Sequence, residues 1–298
     1  MPVYKLGLLI RARREMLGYT QEELAEGICS LPTMSRIENG ERLPTKENAE
    51  LLLQRLGYSD MLVDSYADED ALILNDLKYK IRQAIILEQP AKIGPLLEEF
   101  EKIADLNNKS VKQFVMLCRT IPLGFGADTL EVLEEAMRLT CPRYRPDKLP
   151  KLLTFEEIIL VNNIAICYYG KGKPDVAIKM FYSLKTYYEN NEVNMEERLR
   201  TQPMVLYNLS KCLGASKRYD ECVEICDLGI QLARESGKCN CLDRMFYNRA
   251  YVLLNRDKPG DREEAKKYAE LALHTAAALA RDALAAHYKQ FIDKNFPE

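Results

Sequence analysis

One segment constrains this chain most: TQEELAEGICSLPTMSRIENGERLP, which has the pattern of two short helices joined by a tight turn. Thr20 and Glu23 have the spacing of a capping box, so a helix should begin directly after Thr20. Ser30 is a second candidate N-cap and predicts another short helix. Apolar residues at helical spacing over residues 3–17 and 47–56 add one helix on each side. The sequence therefore predicts a small four-helix module at the N-terminus.

These motifs resemble the helix-turn-helix domain of the Xre/Cro type, in which TQEELA and SRIENG-x-R-x-P occur in the same order. The turn is one residue shorter than in the common form, and that shorter form resembles peptide-sensing regulators. In the Xre/Cro family the helix after Ser30 enters the major groove, while the two preceding helices meet the DNA backbone. Leu31 and Pro32 can offer only apolar contact, for example to a thymine methyl. The resemblance implies DNA contact by Arg11, Arg14, Gln21, Ser30, Leu31, Thr33, Arg36, Asn39 and Arg42.

Each of these side chains also has an ordinary structural alternative. Gln21 can be a helix-favouring surface residue, and Arg36 can pair with a carboxylate. The net charge of −3 does not single out a nucleic-acid-binding protein, and residues 1–64 contain eight Lys or Arg against ten Asp or Glu. Any DNA binding must therefore depend on where individual charges are placed.

The rest of the chain reads as a succession of helices, with Gly and Pro between helical patterns and no long period-two stretch. We therefore predict an all-α fold, with a helix-turn-helix domain at residues 1–65 and a helical domain at residues 66–298. The helical patterns after the first domain fall at residues 70–87, 95–103, 110–121, 128–139, 155–169, 174–188, 196–213, 219–233, 242–254 and 262–280.

An internal repeat organises the helical domain. The segments NIAICY, NLSKCL and NRAYVL begin at Asn163, Asn208 and Asn248, which are 45 and 40 residues apart. Ala177 and Cys222 follow the first two asparagines at equal distance and are small enough to let paired helices approach closely. The pattern resembles the tetratricopeptide repeat, whose period is about 34 residues and whose helix pairs stack into an α-solenoid with a concave groove.

The asparagines suggest a binding surface, because Asn is a poor residue for the interior of a helix. A side-chain amide can both donate to and accept from a peptide unit, so a row of amides could hold an extended backbone. The neighbouring side chains add aromatic area and cations that suit a short peptide. Asparagines that bridge neighbouring helices are the alternative. The candidate peptide-binding residues are Asn162, Asn163, Tyr169, Tyr207, Asn208, Lys211, Arg244, Tyr247, Asn248 and Tyr251.

The two ends of the helical domain are less informative. Residues 70–140 look like two further helix pairs. The C-terminal run AKKYAELALHTAAALARDALAAHYKQFI is alanine-rich and strongly helical. It can cap the solenoid or form a dimer contact, and the sequence does not separate these two roles.

No catalytic or metal-binding pattern stands out. The spacing of Cys222 and Cys226 could suit a metal, but both occupy packing positions of the repeat, so core thiols are the preferred interpretation. The sequence has no phosphate loop, GxSxG or HExxH, so we expect neither an enzyme nor a cofactor. Nine cysteines, an odd number, suit a reducing cytoplasm. We expect no signal peptide and no membrane span.

The combination of both domains resembles the RRNPP (Rgg/PlcR-like) peptide-sensing transcription factors of Firmicutes. The segment LLTFEEIILVNNIAICYY adds to that resemblance. It implies a homodimer that binds double-stranded DNA at an inverted-repeat operator, with a short signalling peptide in the groove that alters DNA binding, as in quorum sensing. The alternative is a repeat-scaffold regulator controlled by a protein partner, such as a phage or antitoxin-like repressor.

Overall fold

The computed structural model describes residues 3–58, 69–86, 89–124, 126–191 and 195–297. The all-α prediction is confirmed: the described residues form helices, and their only β-type pairing is one isolated bridge between Arg145 and Lys148. In these described ranges, no helix has the length and apolar character needed to cross a membrane.

The helix-turn-helix domain comprises α1 (Val3–Met16), α2 (Gln21–Ala25), α3 (Leu31–Glu38) and α4 (Lys46–Arg55). The later helices are α5 (Glu69–Ile86), α6 (Pro90–Ile103), α7 (Lys109–Thr120), α8 (Ala127–Thr140), α9 (Phe155–Gly170), α10 (Pro174–Asn190), α11 (Met195–Ala215), α12 (Tyr219–Ser236), α13 (Leu242–Arg256), α14 (Asp261–Ala278) and α15 (Asp282–Asn295).

Two boundaries differ most from the sequence patterns, and the others agree within about three residues. The start of α6 was expected at Pro95 but lies at Pro90, where the fixed φ and missing N–H of proline fit the first helical position. Pro95 then lies inside the helix. The alanine-rich C-terminal run is divided into α14 and α15, because Ala280 adopts a left-handed backbone with φ of 53°. The predicted end of a helix at residue 87 and the boundary between residues 65 and 66 lie outside the described residues.

Local capping sets the boundaries of the helix-turn-helix domain. The capping box at α2 is confirmed: the Thr20 hydroxyl accepts a hydrogen bond from the Glu23 N–H at 3.2 Å, and the Glu23 carboxylate accepts one from the Thr20 N–H at 3.0 Å. The buried core of the domain also includes Leu152, which precedes α9 in the chain. The helical domain thus supplies one residue of the helix-turn-helix core.

The chain divides into two compact units. The first contains Met1–Val176 and Thr186–Glu197, and the second contains Ala177–Lys185 and Arg198–Glu298. In the first unit α5 packs on α6 and α7 packs on α8, which confirms the two helix pairs expected there.

In the second unit α13 packs between α12 and α14, and α15 packs on α14. The small residues of the repeat lie where close helix packing requires them, since Ala177 and Cys222 are fully buried. Cys226 is also fully buried, which confirms that this cysteine pair packs in the core. Tyr288 of α15 is buried as well, so α15 covers part of the helical stack.

Candidate nucleic-acid interface and ligand-binding helices

Helix α3 presents an exposed face. Ser30 caps its N-terminus, where the hydroxyl accepts a hydrogen bond from the Thr33 N–H at 3.4 Å and lies 2.9 Å from the Thr33 hydroxyl. Leu31 is 48% exposed, and Arg36 is exposed on the same short helix. The C-cap residue Asn39 and the nearby Arg42 are also exposed. These candidates therefore occur together on one accessible helix and the turn that follows it.

Two other DNA-contact candidates belong to a buried network. Arg14 is buried, and its guanidinium donates to the Glu38 carboxylate at 2.6 and 2.8 Å. Gln21 donates its side-chain N–H to the same carboxylate at 2.7 Å. We therefore assign Arg14 to the interior of the domain rather than to a DNA contact. Gln21 is half-buried at the start of α2, where Glu38 fixes the orientation of its amide.

Arg11 remains at the surface of α1. Its Nε donates to the Glu15 carboxylate at 2.9 Å, and both side chains are about half exposed. This i,i+4 pair is of the kind that contributes little to stability, about 0.3–0.5 kcal/mol. Arg11 can therefore exchange its carboxylate partner for a phosphate at small cost.

The sequence patterns did not predict one charged pair, which joins the last helix of the helix-turn-helix domain to α9. Arg55 at the end of α4 and Glu157 in the first turn of α9 are both buried, with Nη2 and Oε1 3.6 Å apart. Glu157 also completes the capping box of α9 with Thr154. That capping spacing is readable in the sequence, but its charged partner is not, because residues 55 and 157 are far apart in the chain.

The predicted peptide-binding residues fall into both units. In the first unit Asn162 and Asn163 are buried, and the Asn162 amide donates to the Asn163 side-chain oxygen at 3.0 Å. Tyr169 lies at the end of the same helix and is half-buried.

The second unit brings several of the candidates together on α11 and α13. The Asn248 amide donates to the Ser210 hydroxyl at 2.8 Å, so this asparagine bridges two helices. The Arg244 guanidinium lies 5.4 Å from the centre of the Tyr207 ring, a cation–π arrangement. Asn208 is half-buried beside Tyr207, while Lys211 and Tyr251 are exposed. This surface therefore combines amide, aromatic and cationic groups.

Tyr247 has a packing role. Its ring stacks on Tyr288 with centroids 4.8 Å apart, and its hydroxyl lies 3.1 Å from Nε2 of His287. Burial raises the pKa of the Tyr247 phenol. The ring therefore anchors α15 on α13. Within the described residues, no cluster of three or more His, Cys, Asp or Glu side chains could hold a metal ion.

Two family models match the chain. A helix-turn-helix model matches residues 10–60, and the RNPP family C-terminal domain matches residues 132–282. The chain belongs to the RNPP family. The second match covers about half of this RNPP protein and includes every predicted peptide-binding residue. No curated protein sequence matches the chain.

Solved structures confirm the fold of this RNPP protein over nearly its whole length. PlcR of Bacillus thuringiensis, in complex with the peptide PapR7 and DNA, is 17% identical with a TM-score of 0.59, covering 99% of this chain and 100% of that chain. Apo ComR of Streptococcus thermophilus is 18% identical with a TM-score of 0.56, covering 96% and 97%. ComR of the same species with DNA and its signalling peptide ComS is 17% identical with a TM-score of 0.52, covering 97% and 99%.

Proposed function

We propose that this protein is a sequence-specific DNA-binding transcriptional regulator whose repeat domain binds a short signalling peptide that alters DNA binding. The observation that carries the proposal is the exposed face of α3, displayed by a chain whose C-terminal half matches the RNPP domain. Support also comes from similar folds that were solved with DNA and peptides, namely PlcR with PapR7 and ComR with ComS. The proposed setting is the cytoplasm, and the proposed role is regulatory rather than enzymatic.

On the DNA side, α3 enters the major groove of an inverted-repeat operator that a homodimer occupies. Thr33 and Arg36 contact bases or phosphates, and Leu31 contacts a thymine methyl. The start of α2 meets the backbone, where free helix N–H groups and Gln21 donate to a phosphate. Arg11 and Arg42 add cations on the exposed surface of the same domain.

On the peptide side, α11 and α13 of the second unit carry the groups with the best access. Lys211 and Tyr251 are exposed, and Arg244 is oriented by its contact with Tyr207. A cation on this surface suits the terminal carboxylate of a peptide, and the aromatic rings suit apolar side chains. Asn208 then bonds the peptide backbone.

Two measurements test the proposal. The purified full-length chain is mixed with a random double-stranded DNA library, and the bound DNA is sequenced; we expect one enriched inverted repeat. Native mass spectrometry of the protein purified from its own host should show a dimer with a co-purifying short peptide. Absence of any enriched DNA motif would remove the regulator role. A co-purifying protein in place of a peptide would support the partner-controlled alternative.

A further inference from the structure

Four buried polar side chains meet where the helix-turn-helix domain contacts the helical domain. They come from four helices: Arg55 of α4, Gln113 of α7, Thr140 of α8 and Glu157 of α9. Arg55 is 4% exposed and Glu157 is fully buried. A buried ion pair costs much of its attraction in desolvation, so stability alone is a weak reason for placing one here. The geometry of the Arg55–Glu157 pair indicates that it orients the helix-turn-helix domain on the helical domain.

The Arg55 guanidinium joins the ends of two helices. Nη1 donates to the carbonyls of Leu24 and Glu26 at 3.1 and 2.5 Å, at the C-terminal end of α2. Nη2 donates to the carbonyl of Thr140 at 3.3 Å, at the C-terminal end of α8. The last carbonyls of a helix lack intrahelical partners and carry partial negative charge, so one cation satisfies both ends. One of these helices belongs to the helix-turn-helix domain and the other to the helical domain.

Glu157 completes the junction from the α9 side. Its Oε1 accepts from the Thr140 hydroxyl at 2.6 Å and from the Cys141 thiol at 3.2 Å. Its Oε2 accepts from the Thr154 N–H at 2.7 Å. Gln113 donates to the Thr140 hydroxyl, also at 2.6 Å. Because both carboxylate oxygens are engaged, Glu157 fixes the first turn of α9 against α8 and Arg55 together.

Close backbone contact reinforces the junction. Gly27 has φ of +73°, and a Cβ at this position would lie 1.8 Å from the Thr140 carbonyl oxygen. Any other residue would force the turn between α2 and α3 away from α8. Leu152, which precedes α9 in the chain, also packs into the helix-turn-helix core. The DNA-reading side chains Leu31 and Arg36 nevertheless remain exposed, so this contact orients α3 without covering it.

We propose that Arg55 and Glu157 are positioning residues that fix the helix-turn-helix domain to the C-terminal end of α8 and the first turn of α9. As a result, α3 and α9 move together as one rigid body. With α3 held in this way, the half-site spacing that a dimer prefers depends on the Arg55–Glu157 contact. This inference rests on the proposed DNA-binding function.

The test measures spacing selectivity separately from half-site affinity. The full-length chain selects DNA from a library in which two copies of its own half-site are separated by spacers that vary over one helical turn, roughly 10 base pairs. We expect the wild type to prefer a narrow set of spacers. Arg55→Met should select the same half-site, while its preference for the best spacer over the average spacer falls about fivefold or more.

Three further variants sharpen the test. Glu157→Gln retains the hydrogen-bond acceptor for Thr154 but removes the charge, so it should broaden spacing less than Arg55→Met. Arg55→Lys retains the charge and should restore part of the selectivity. Arg143→Ala is the matched control at the same junction, because exposed Arg143 pairs with Glu26 at 2.8 Å and such pairs contribute little. It should leave spacing unchanged.

The outcomes separate the two proposals. Unchanged spacing in folded Arg55→Met and Glu157→Gln would overturn the positioning role and leave the DNA-binding function intact. Equal loss of affinity at every spacer, together with a lower folded fraction, would show that the pair is merely structural. If the wild-type chain enriches no half-site at all, that result would contradict the proposed DNA-binding function and also the positioning role.

Discussion

Arg14 and Glu38 form a two-point hydrogen bond in the interior of the helix-turn-helix domain, with Nε–Oε1 and Nη2–Oε2 distances of 2.6 and 2.8 Å. The same guanidinium donates to the Tyr19 carbonyl at 2.7 Å, and Glu38 also accepts from Gln21. The hydrogen bond to Glu38 raises the pKa of the Arg14 guanidinium. This pair joins α1 and α3, so it sets the orientation of α3 within the helix-turn-helix domain.

Replacement of Arg14 should therefore destabilise the protein. Arg14→Met leaves the Glu38 carboxylate buried without its cation, and we expect a loss of about 3–5 kcal/mol in the free energy of unfolding. Urea unfolding followed by circular dichroism measures this loss. Arg11→Met is the matched control on the same helix, and it should cost less than about 1 kcal/mol. Equal losses in both variants would contradict the interior role of Arg14.

Arg36 should matter for DNA rather than for folding. Arg36→Ala removes an exposed cation from α3, so we expect operator affinity to fall about fivefold to a hundredfold. The unfolding free energy should change by less than about 0.5 kcal/mol. Fluorescence anisotropy with the selected operator measures the affinity at several salt concentrations. Arg145→Ala, an exposed site paired with Asp147, is the control, and a similar loss there would argue against a specific role for Arg36.

Asn208 and Asn248 should behave differently although they share one repeat register. Asn248→Ala removes the bond to Ser210, so the unfolding free energy should fall by about 1 kcal/mol. Asn208→Ala should weaken binding of the co-purified peptide and leave DNA binding of the free protein intact. Calorimetric titration with that peptide and thermal unfolding separate the two effects. Unchanged peptide affinity in Asn208→Ala would limit this asparagine to a structural role.

The turn between α13 and α14 should give stability that depends on pH. Arg256 donates to both carboxylate oxygens of Asp261 at 2.9 and 2.7 Å, and the Lys258 N–H adds a third bond. The hydrogen bonds from Arg256 lower the pKa of Asp261 from 3.8 to about 2. A lowered carboxyl pKa means that this stabilisation is present above about pH 4 and is lost as the pH falls towards 2. It is worth about 2 kcal/mol at neutral pH.

The Asp261→Asn variant measures this contribution. The difference in unfolding free energy between wild type and variant should be largest near pH 7 and should shrink below pH 4, towards about zero at pH 2. Urea titrations at a series of pH values provide the comparison. A difference that stays constant across this range would mean that the carboxylate charge is not the stabilising feature.

Features that depend on neighbours along the chain were predictable. The capping box of Thr20 and Glu23 and the N-cap of Ser30 lie at the expected helix starts. The repeat register placed Ala177 and Cys222 in the core, as found. Helical period and cap chemistry act within a few residues, so the sequence displays them directly. A helix start near Pro95 was wrong because either of two prolines could have begun the helix, and only packing chooses between them.

By itself the sequence determined the all-α class, the helix-turn-helix motif and the register of the repeats, since these follow from local periodicity and capping. Only the tertiary structure decided which charges lie inside. It buried Arg14 against Glu38, paired Arg55 with Glu157 and placed Leu152 in the helix-turn-helix core. The partner of a charged side chain depends on which helices pack together. Because those helices are distant in the chain, no local periodicity around either residue indicates the pairing.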